Sequence, residues 1–319
     1  MSTPLRAAVT GGLLAFGSAA AADVPAVAAD IAPVHGLVAR VMEGVGTPEL
    51  IVRPGASPHG YALRPSEARA LEQSDAVFWI GSALTPWLGR TLDTLAADAE
   101  TVTLLEAEET RTLSYREGAT FGEHAHDHGH DDHDGDADAG EDDHDAAHGD
   151  LDPHAWLDPE NAKAWLGLIA DTLATLDPEN AETYRDNAAA GRQEVDAAAA
   201  EVRETLDRIG PLTFVVFHDA YHYFEARFDF EAAGAIALSD ATDPSPARVE
   251  EVRETVATLG VECVFAEPQF NQTLAGVVLE GTDGRPGTID PLGIDIPTGP
   301  DFYPALLRSI ADEIAACRS

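Results

Sequence analysis

A long helical pattern in the middle of the chain constrains the fold more than any other feature. It opens near Asp177 and ends at Gly210 and Pro211. Apolar or small residues recur along it at helical spacing, at Tyr184, Ala188, Gly191, Val195, Val202, Leu206 and Ile209. About 30 residues at 1.5 Å each span roughly 45 Å, which is more than one small domain needs. We therefore expect a stiff helix over residues 177–210 that connects two lobes.

Two copies of Asp-Pro-Glu-Asn, at residues 158–161 and 177–180, predict where helices begin. In each copy Asp is suited to the N-cap, Pro to the first helical position and Glu to the first turn. The second copy would start the long helix, and the first would start the helix before it.

Short apolar runs alternate with helical patterns on both sides of the long helix, which predicts an α/β fold. Strands are expected at 24–31, 50–52, 76–80 and 101–105, and then at 214–217, 232–237, 261–265 and 288–289. Helices are expected between them at 37–42, 66–73 and 87–97, and then at 219–226, 246–259, 271–279 and 303–316. The result is two βα lobes, each with a parallel four-stranded sheet. The cleft between the lobes would face the carboxyl ends of both sheets, where open α/β folds bind ligands.

The first residues predict an exported protein. A cation at Arg6, an apolar stretch and the small residues Ala19 to Ala22 are typical of a signal peptide over residues 1–22, cleaved near Ala22. No other segment reaches the roughly 18 apolar residues that a membrane span needs. We expect a soluble periplasmic protein with an N-terminal lobe at 23–176, the connecting helix at 177–210 and a C-terminal lobe at 211–319.

The two cysteines, Cys263 and Cys317, fit that compartment. In an oxidising space an even number of cysteines favours one disulfide, which would close a long loop of the unfolded chain. Two separate buried thiols are the alternative.

The strong negative charge excludes nucleic acid as a partner and favours cations. The formal net charge is −38, and without the twelve acids of residues 123–150 it is still −26. This segment, the His/Asp tract, has no Lys or Arg and holds seven histidines: His124, His126, His128, His130, His133, His144 and His148. Imidazoles among carboxylates suit borderline divalent metals. An acidic solvated loop is the alternative.

The His/Asp tract is predicted to be an auxiliary, weak metal loop. Its apolar residues are small alanines, so it cannot bury enough surface to offset the entropy of ordering, and we expect it to be disordered. Many loosely equivalent ligands bind weakly, whereas a selective site needs a few ligands on rigid elements.

Three other histidines and one aspartate are predicted to meet at the cleft. His59 lies in a Gly- and Pro-containing loop after the second strand, and His154 precedes a helix. His218 and Asp290 each follow a strand. Ligands from both lobes thus converge on one region, as a tetrahedral metal site requires. Each residue alone is more often structural.

His35 and His222 have simpler interpretations. His35 opens a helix after Pro33 and could approach the cleft, but a helix-start residue with a satisfied hydrogen bond explains it as easily. His222 stands four residues after His218, a spacing that can chelate zinc, but the surrounding aromatic residues favour packing.

Four ordered motifs resemble the zinc-binding solute receptors of bacterial ABC importers, of the high-affinity zinc uptake type. They are Pro-Gly-Ala-Ser-Pro-His59-Gly-Tyr-Ala-Leu-Arg-Pro-Ser, Asp-Pro-His154-Ala-Trp-Leu-Asp-Pro, Phe-His218-Asp-Ala-Tyr and Asp290-Pro-Leu-Gly. The resemblance runs from about Val24 to the C-terminus. It implies two βα lobes bridged by a long helix, a metal between them, a His-rich loop nearby and a Cys263–Cys317 disulfide.

The resemblance also implies that His59, His154 and His218 are the zinc ligands. Manganese and iron relatives tend to place a carboxylate where His218 stands, so histidine favours Zn²⁺. Some members offer a glutamate before the first histidine, where this chain has Pro58. The fourth position is then left to Asp290, water or a histidine of the tract, in that order.

The function expected from these observations is that of a receptor, not an enzyme. It would be a monomer that captures Zn²⁺ and delivers it to an inner-membrane ABC permease. A zinc hydrolase needs a general base beside the metal-bound water; the chain has no His-Glu-x-x-His helix, and Glu267 and Asp219 are weak candidates for that base. A receptor for manganese or another divalent metal, and a periplasmic zinc chaperone or buffer without a permease, remain as alternatives.

Overall fold

The computed structural model describes residues 24–116, 121, 151–237, 244–270 and 273–318. The predicted signal peptide and the seven histidines of the His/Asp tract lie outside the described residues.

The N-terminal lobe contains a parallel sheet whose strands alternate with helices. Its strands follow the spatial order β2-β1-β3-β4. The elements are β1 (Val27–Ala29), α1 (Ala32–Val41), β2 (Glu49–Leu50), α2 (Pro65–Glu72), β3 (Ala76–Trp79), α3 (Leu88–Leu95) and β4 (Glu100–Thr103). The two central strands, β1 and β3, are fully buried, as expected of a parallel sheet covered on both faces.

The C-terminal lobe repeats this arrangement, with the order β6-β5-β7-β8 and all strands parallel. Its elements are β5 (Phe214–His218), α6 (His222–Phe228), β6 (Gly234–Ala237), α7 (Pro246–Leu259), β7 (Cys263–Ala266), α8 (Thr273–Val278), β8 (Arg285–Thr288) and α9 (Phe302–Ala316). A disulfide joins Cys263, at the start of β7, to Cys317 after α9, as predicted. The α/β fold with two parallel four-stranded sheets is confirmed.

The predicted long helix is α5 (Ala181–Ile209), which has 29 residues and follows α4 (Pro159–Leu176). It packs against α1 and α4 of the N-terminal lobe and against α9 of the C-terminal lobe. Gly191 lets α5 approach closely, because a Cβ there would lie 3.0 Å from Arg40 and 3.2 Å from Leu166. The helix therefore contacts both lobes along its length.

The two Asp-Pro-Glu-Asn copies behave differently. Asp158 caps α4 as predicted, accepting a hydrogen bond from the backbone N–H of Glu160 at 2.9 Å. The prediction for Asp177 is wrong: α4 extends to Leu176, Asp177 ends it, and α5 begins four residues later, at Ala181. The Asp177 carboxylate instead accepts from Asn180 Nδ2 at 2.7 Å and from Tyr184 at 2.9 Å, so it joins the two helices.

One hydrophobic core runs through both lobes. It includes residues of β3, α4, α5, β5 and α9, such as Phe78, Trp165, Val195, Phe214 and Leu307. Because side chains of α4, α5 and α9 are shared by this core, the lobes are held together by buried surface. Among the described residues, no helix is long and apolar enough to span a membrane.

Candidate metal centre

His218 is the last residue of β5 and is held by a buried carboxylate. Glu267 directly follows β7, the strand that pairs with β5, so parallel pairing brings the two side chains together at the same sheet edge. The His218 Nδ1 lies 2.5 Å from Glu267 Oε1. Gln269 donates to the other Glu267 oxygen at 2.8 Å. Since a carboxylate accepts at Nδ1, that nitrogen carries the proton and Nε2 presents its lone pair.

His154 has the same kind of support from another buried carboxylate. Its Nδ1 lies 2.7 Å from Asp152 Oδ1, and its backbone N–H donates to the same oxygen at 3.0 Å. The short 3₁₀ turn that follows, Ala155–Leu157, is fixed across the cleft: Trp156 donates from its indole to the Pro291 carbonyl at 2.8 Å, and Tyr303 donates to the Trp156 carbonyl at 2.6 Å. His154 is therefore fixed from both sides of the cleft.

These two residues, the histidine pair, face each other through their outer nitrogens. The Nε2 atoms are 3.4 Å apart, and the ring centroids are 5.2 Å apart. Two nitrogens bound to one tetrahedral zinc at 2.0–2.1 Å would be separated by about 3.3 Å. With both Nδ1 protons directed at carboxylates, two lone pairs would point at one another, an arrangement that a proton or a cation between them stabilises.

His59 lies in the loop that follows β2, and it is half-buried. Its ring centroid is 6.3 Å from that of His154. The Pro58 carbonyl accepts from the Trp87 indole at 2.8 Å, next to α3. Glu67 joins the two ends of the loop, because it accepts from Arg53 at 2.7 Å and from Tyr61 at 2.9 Å. The loop is thus anchored at both ends by Glu67, and next to His59 by the hydrogen bond to the Pro58 carbonyl.

Asp290 follows β8, but its carboxylate is directed into its own loop. One oxygen accepts from the Leu292 backbone at 2.8 Å and the other from the Ile294 backbone at 2.6 Å. Within the described part of the chain, no set of three or more His, Cys, Asp or Glu side chains is arranged to hold a metal ion. The structure therefore brings His154 and His218 together, with His59 nearby and Asp290 hydrogen-bonded in its own loop.

Negative charge surrounds the histidine pair. Asp152, Asp219, Glu225 and Glu267 are all buried. Arg116 forms ion pairs with Asp219 and Glu225, while the other two carboxylates hold the histidines. Burial raises the pKa of the Asp152 carboxyl to about 7, and a divalent cation nearby would favour its ionised form.

Among the described residues, the other two histidines, His35 and His222, are held within helices α1 and α6. His35 is buried in α1 and lies 3.1 Å from the Pro48 carbonyl, and burial lowers its pKa. His222 opens α6, and its Nδ1 is 3.8 Å from the second oxygen of Asp152.

The sequence interpretation missed the carboxylates that hold the ligands. Glu267 entered it only as a weak candidate base, and Asp152 only as part of a motif. The rule that placed His218 at a strand's carboxyl end applies equally to Glu267, one residue after β7, so the signal was present.

Known proteins similar to this chain include zinc-uptake components. The family model described as zinc-uptake complex component A, periplasmic, matches residues 27–317. The chain is 41% identical over 317 residues to the high-affinity zinc uptake system protein ZnuA of Brucella suis, covering 95% of this chain and 94% of that protein. It is 41% identical over 307 residues to the protein of the same name from Paracoccus denitrificans, covering 93% of each.

Solved structures share the fold. A crystal structure of ZnuA matches with a TM-score of 0.73 and 21% identity, covering 93% of this chain and 100% of that one. The solute-binding protein FpvC of Pseudomonas aeruginosa, in complex with Mn²⁺, matches with a TM-score of 0.73 and 17% identity, covering 92% and 98%. At these identities the structures establish the fold alone, but the family match and the 41% identity over nearly the whole chain go further: this chain belongs to the ZnuA family of periplasmic zinc-uptake components.

Proposed function

We propose that this protein is an extracytoplasmic receptor that binds one Zn²⁺ ion tightly in the cleft and delivers it to an inner-membrane ABC permease. The 3.4 Å separation of the two Nε2 atoms carries this proposal. It matches the ligand spacing of tetrahedral zinc, and each imidazole is already oriented by a buried carboxylate. Little rearrangement is then needed at these two positions when the ion arrives.

The ligand set proposed is His59, His154 and His218. His59 would complete the site from the loop after β2. Its ring centroid lies 6.3 Å from that of His154, so a small movement of the loop would bring its nitrogens to the ion. Asp290 is the first candidate for the fourth position, because its oxygens keep acceptor capacity beyond their backbone bonds. Water is the second candidate for this position, and a histidine of the His/Asp tract is the third.

Zinc is proposed over manganese because the pair offers two imidazoles at tetrahedral spacing. Manganese suits carboxylate, carbonyl and water ligands and higher coordination. A manganese receptor is the second candidate, since a neighbour of the same fold binds Mn²⁺. Competition between Zn²⁺ and Mn²⁺ for the purified protein decides between them: displacement of zinc by equimolar manganese would overturn the choice.

The His/Asp tract is proposed to capture zinc weakly for the cleft. Calorimetric titration with zinc of the mature protein and of a variant lacking residues 123–150 tests this division. The deletion should remove several weak equivalents while one tight equivalent persists. Loss of the tight equivalent would contradict the proposed site, and unchanged weak binding would contradict the role of the tract.

We further propose that the protein is a monomer in the periplasm and that it delivers its zinc to a permease. The family is one of solute-binding receptors, which supports a binding role over an enzymatic one. A zinc chaperone or buffer without a permease would use the same ligands. Growth of a zinc-starved strain that lacks its own receptor but keeps its permease separates these possibilities, since a receptor should restore growth and a buffer should not.

A further inference from the structure

Arg116 makes a buried connection that touches no proposed ligand but reaches the chain beside His218. Its side chain is 16% exposed, and its guanidinium binds both oxygens of Asp219. The same guanidinium binds Glu225 at 2.6 Å. Its flat face covers the ring of Phe121, with the central carbon 3.7 Å from the ring centroid. We call Arg116, Asp219 and Glu225 the Arg116 clamp.

The segment that carries Arg116 is tied to the segment that carries His154. Ser114 pairs in antiparallel fashion with Leu151, and the Asp152 backbone N–H donates to the Leu113 carbonyl at 2.9 Å. The Tyr223 hydroxyl reinforces this pairing, because it accepts from the Leu113 N–H and donates to the Asp152 carbonyl, both at 2.8 Å. Three hydrogen bonds therefore tie the segment that leads to Arg116 to the backbone of Asp152, whose carboxylate holds His154.

The other side of the clamp is covalently linked to His218. Asp219 is the next residue in the chain, and Glu225 lies in α6, which begins three residues later. The clamp thus closes a ring that runs from His154 through Asp152, residues 113–116 and Asp219 to His218. Two chain segments that are far apart in sequence are joined at the point where their imidazoles meet.

We infer that Arg116 is a positioning residue that sets the separation of the His154 and His218 Nε2 atoms and so determines how well the cleft retains a tetrahedral cation. This inference rests on the proposed zinc function and deepens it. A site loosened by a fraction of an ångström loses the matched spacing, although all its ligands are present.

A second arginine provides a matched comparison. Arg227 of α6 binds Asp158 through two hydrogen bonds of 2.7 and 2.8 Å, and Asp158 caps α4. This pair also joins the C-terminal lobe to the N-terminal lobe through a buried carboxylate. It differs in that neither residue adjoins a histidine of the pair.

Removing Arg116 alone would leave two buried carboxylates without their cation, which is strongly destabilising. The test variant is therefore Arg116→Met with Asp219→Asn and Glu225→Gln, in which no charge is left uncompensated. The control variant is Arg227→Met with Asp158→Asn, because Asn also caps a helix. Circular dichroism checks that both fold.

The experiment loads each protein with zinc and measures zinc loss to excess chelator, and then records the visible spectrum with Co²⁺ in place of zinc. We expect the clamp variant to lose zinc about tenfold faster, in the range for residues that orient metal ligands, and to show weaker tetrahedral Co²⁺ bands. The control should stay within about twofold of the parent for zinc loss and keep the parent spectrum.

Two outcomes overturn the inference: a folded clamp variant that loses zinc at the parent rate, and equal acceleration in the clamp and control variants. If the triple variant does not fold, Arg116→Lys decides by the same rates, since a lysine cannot hold both carboxylates in the same geometry. A parent protein without tight zinc would remove the proposed function itself. If the parent binds zinc tightly and the clamp variant loses it at the same rate, only the role of Arg116 is refuted.

Discussion

The histidine pair and the His59 loop are two halves of one candidate site, and they are built differently. His154 and His218 are 4% and 3% exposed, and a carboxylate contacts the ring of each. His59 is half-buried, and Glu67, a buried carboxylate of the same region, contacts Arg53 and Tyr61 at the ends of the loop. The rings of His154 and His218 are therefore oriented before a metal ion arrives, whereas Glu67 anchors the His59 loop through its ends.

Orienting the histidine pair with buried carboxylates has an energetic cost and gives an advantage in binding. Burying Asp152 and Glu267 requires desolvation of two carboxyl groups, and the raised pKa of Asp152 reflects it. In return, the imidazoles lose little freedom on binding. His59 is only half-buried, so its imidazole loses less hydration than the two buried rings do. Substitutions in the two halves should thus differ in size.

The largest expected effect is that of His218→Ala. The variant should bind zinc about 1,000-fold more weakly, or about 4 kcal/mol, because it removes a ligand and takes the imidazole away from the buried Glu267 carboxylate. Competition with a chromophoric chelator at pH 7.5 measures the affinity. An unchanged affinity would refute the assignment of His218, and circular dichroism controls for loss of fold.

His59→Ala should have a smaller effect, about 100-fold in the same assay. Water can replace an imidazole at the more exposed position. His35→Ala, a histidine of the same lobe that contacts the Pro48 carbonyl, serves as the control and should keep full affinity. If His59→Ala and His218→Ala were equally severe, the two halves would contribute equally and the contrast drawn between them would fail.

Glu267→Gln tests whether the carboxylate behind the ring matters for its charge. We expect about 30-fold weaker zinc binding, because an amide still accepts from Nδ1 but no longer favours the positive imidazole–metal unit. Glu67→Gln is the matched control: it neutralises the buried carboxylate of the other half, which contacts Arg53 and Tyr61. Equal losses in both variants would mean that net charge, not contact with the ring, governs affinity.

The sequence predicted the framework well because its signals are local. Residues 246–259 were predicted as a helix with the bounds of α7 itself, since Ser245 and Pro246 define its start and Gly260 its end. Asp177 was misassigned because two helices meet there, and its side chain is used by Asn180 and Tyr184 and not by a helix N-terminus.

The candidate site divides in the same way. His218 follows from its position at the end of an apolar strand, which is a local property. Its pairing with Glu267, 49 residues away, depends on which strand lies beside β5, and the chain order of strands does not reveal that the spatial order is β6-β5-β7-β8. Arg116 was not identified for the same reason, since its partners lie more than 100 residues further along the chain.

Asp290→Asn should have the smallest effect and would locate the fourth ligand. The carboxylate already accepts from the backbone of Leu292 and Ile294, so only its remaining lone pairs are available to a metal, and water can take its place. We expect about threefold weaker zinc binding, with a shift of the Co²⁺ spectrum that shows a changed ligand. If the spectrum is unchanged, the position belongs to water or to the tract, and the variant that lacks residues 123–150 distinguishes these. In either case the fourth ligand would come from outside the histidine pair, because the Nδ1 atoms of both imidazoles are already bound to carboxylates and their Nε2 atoms can provide only two positions.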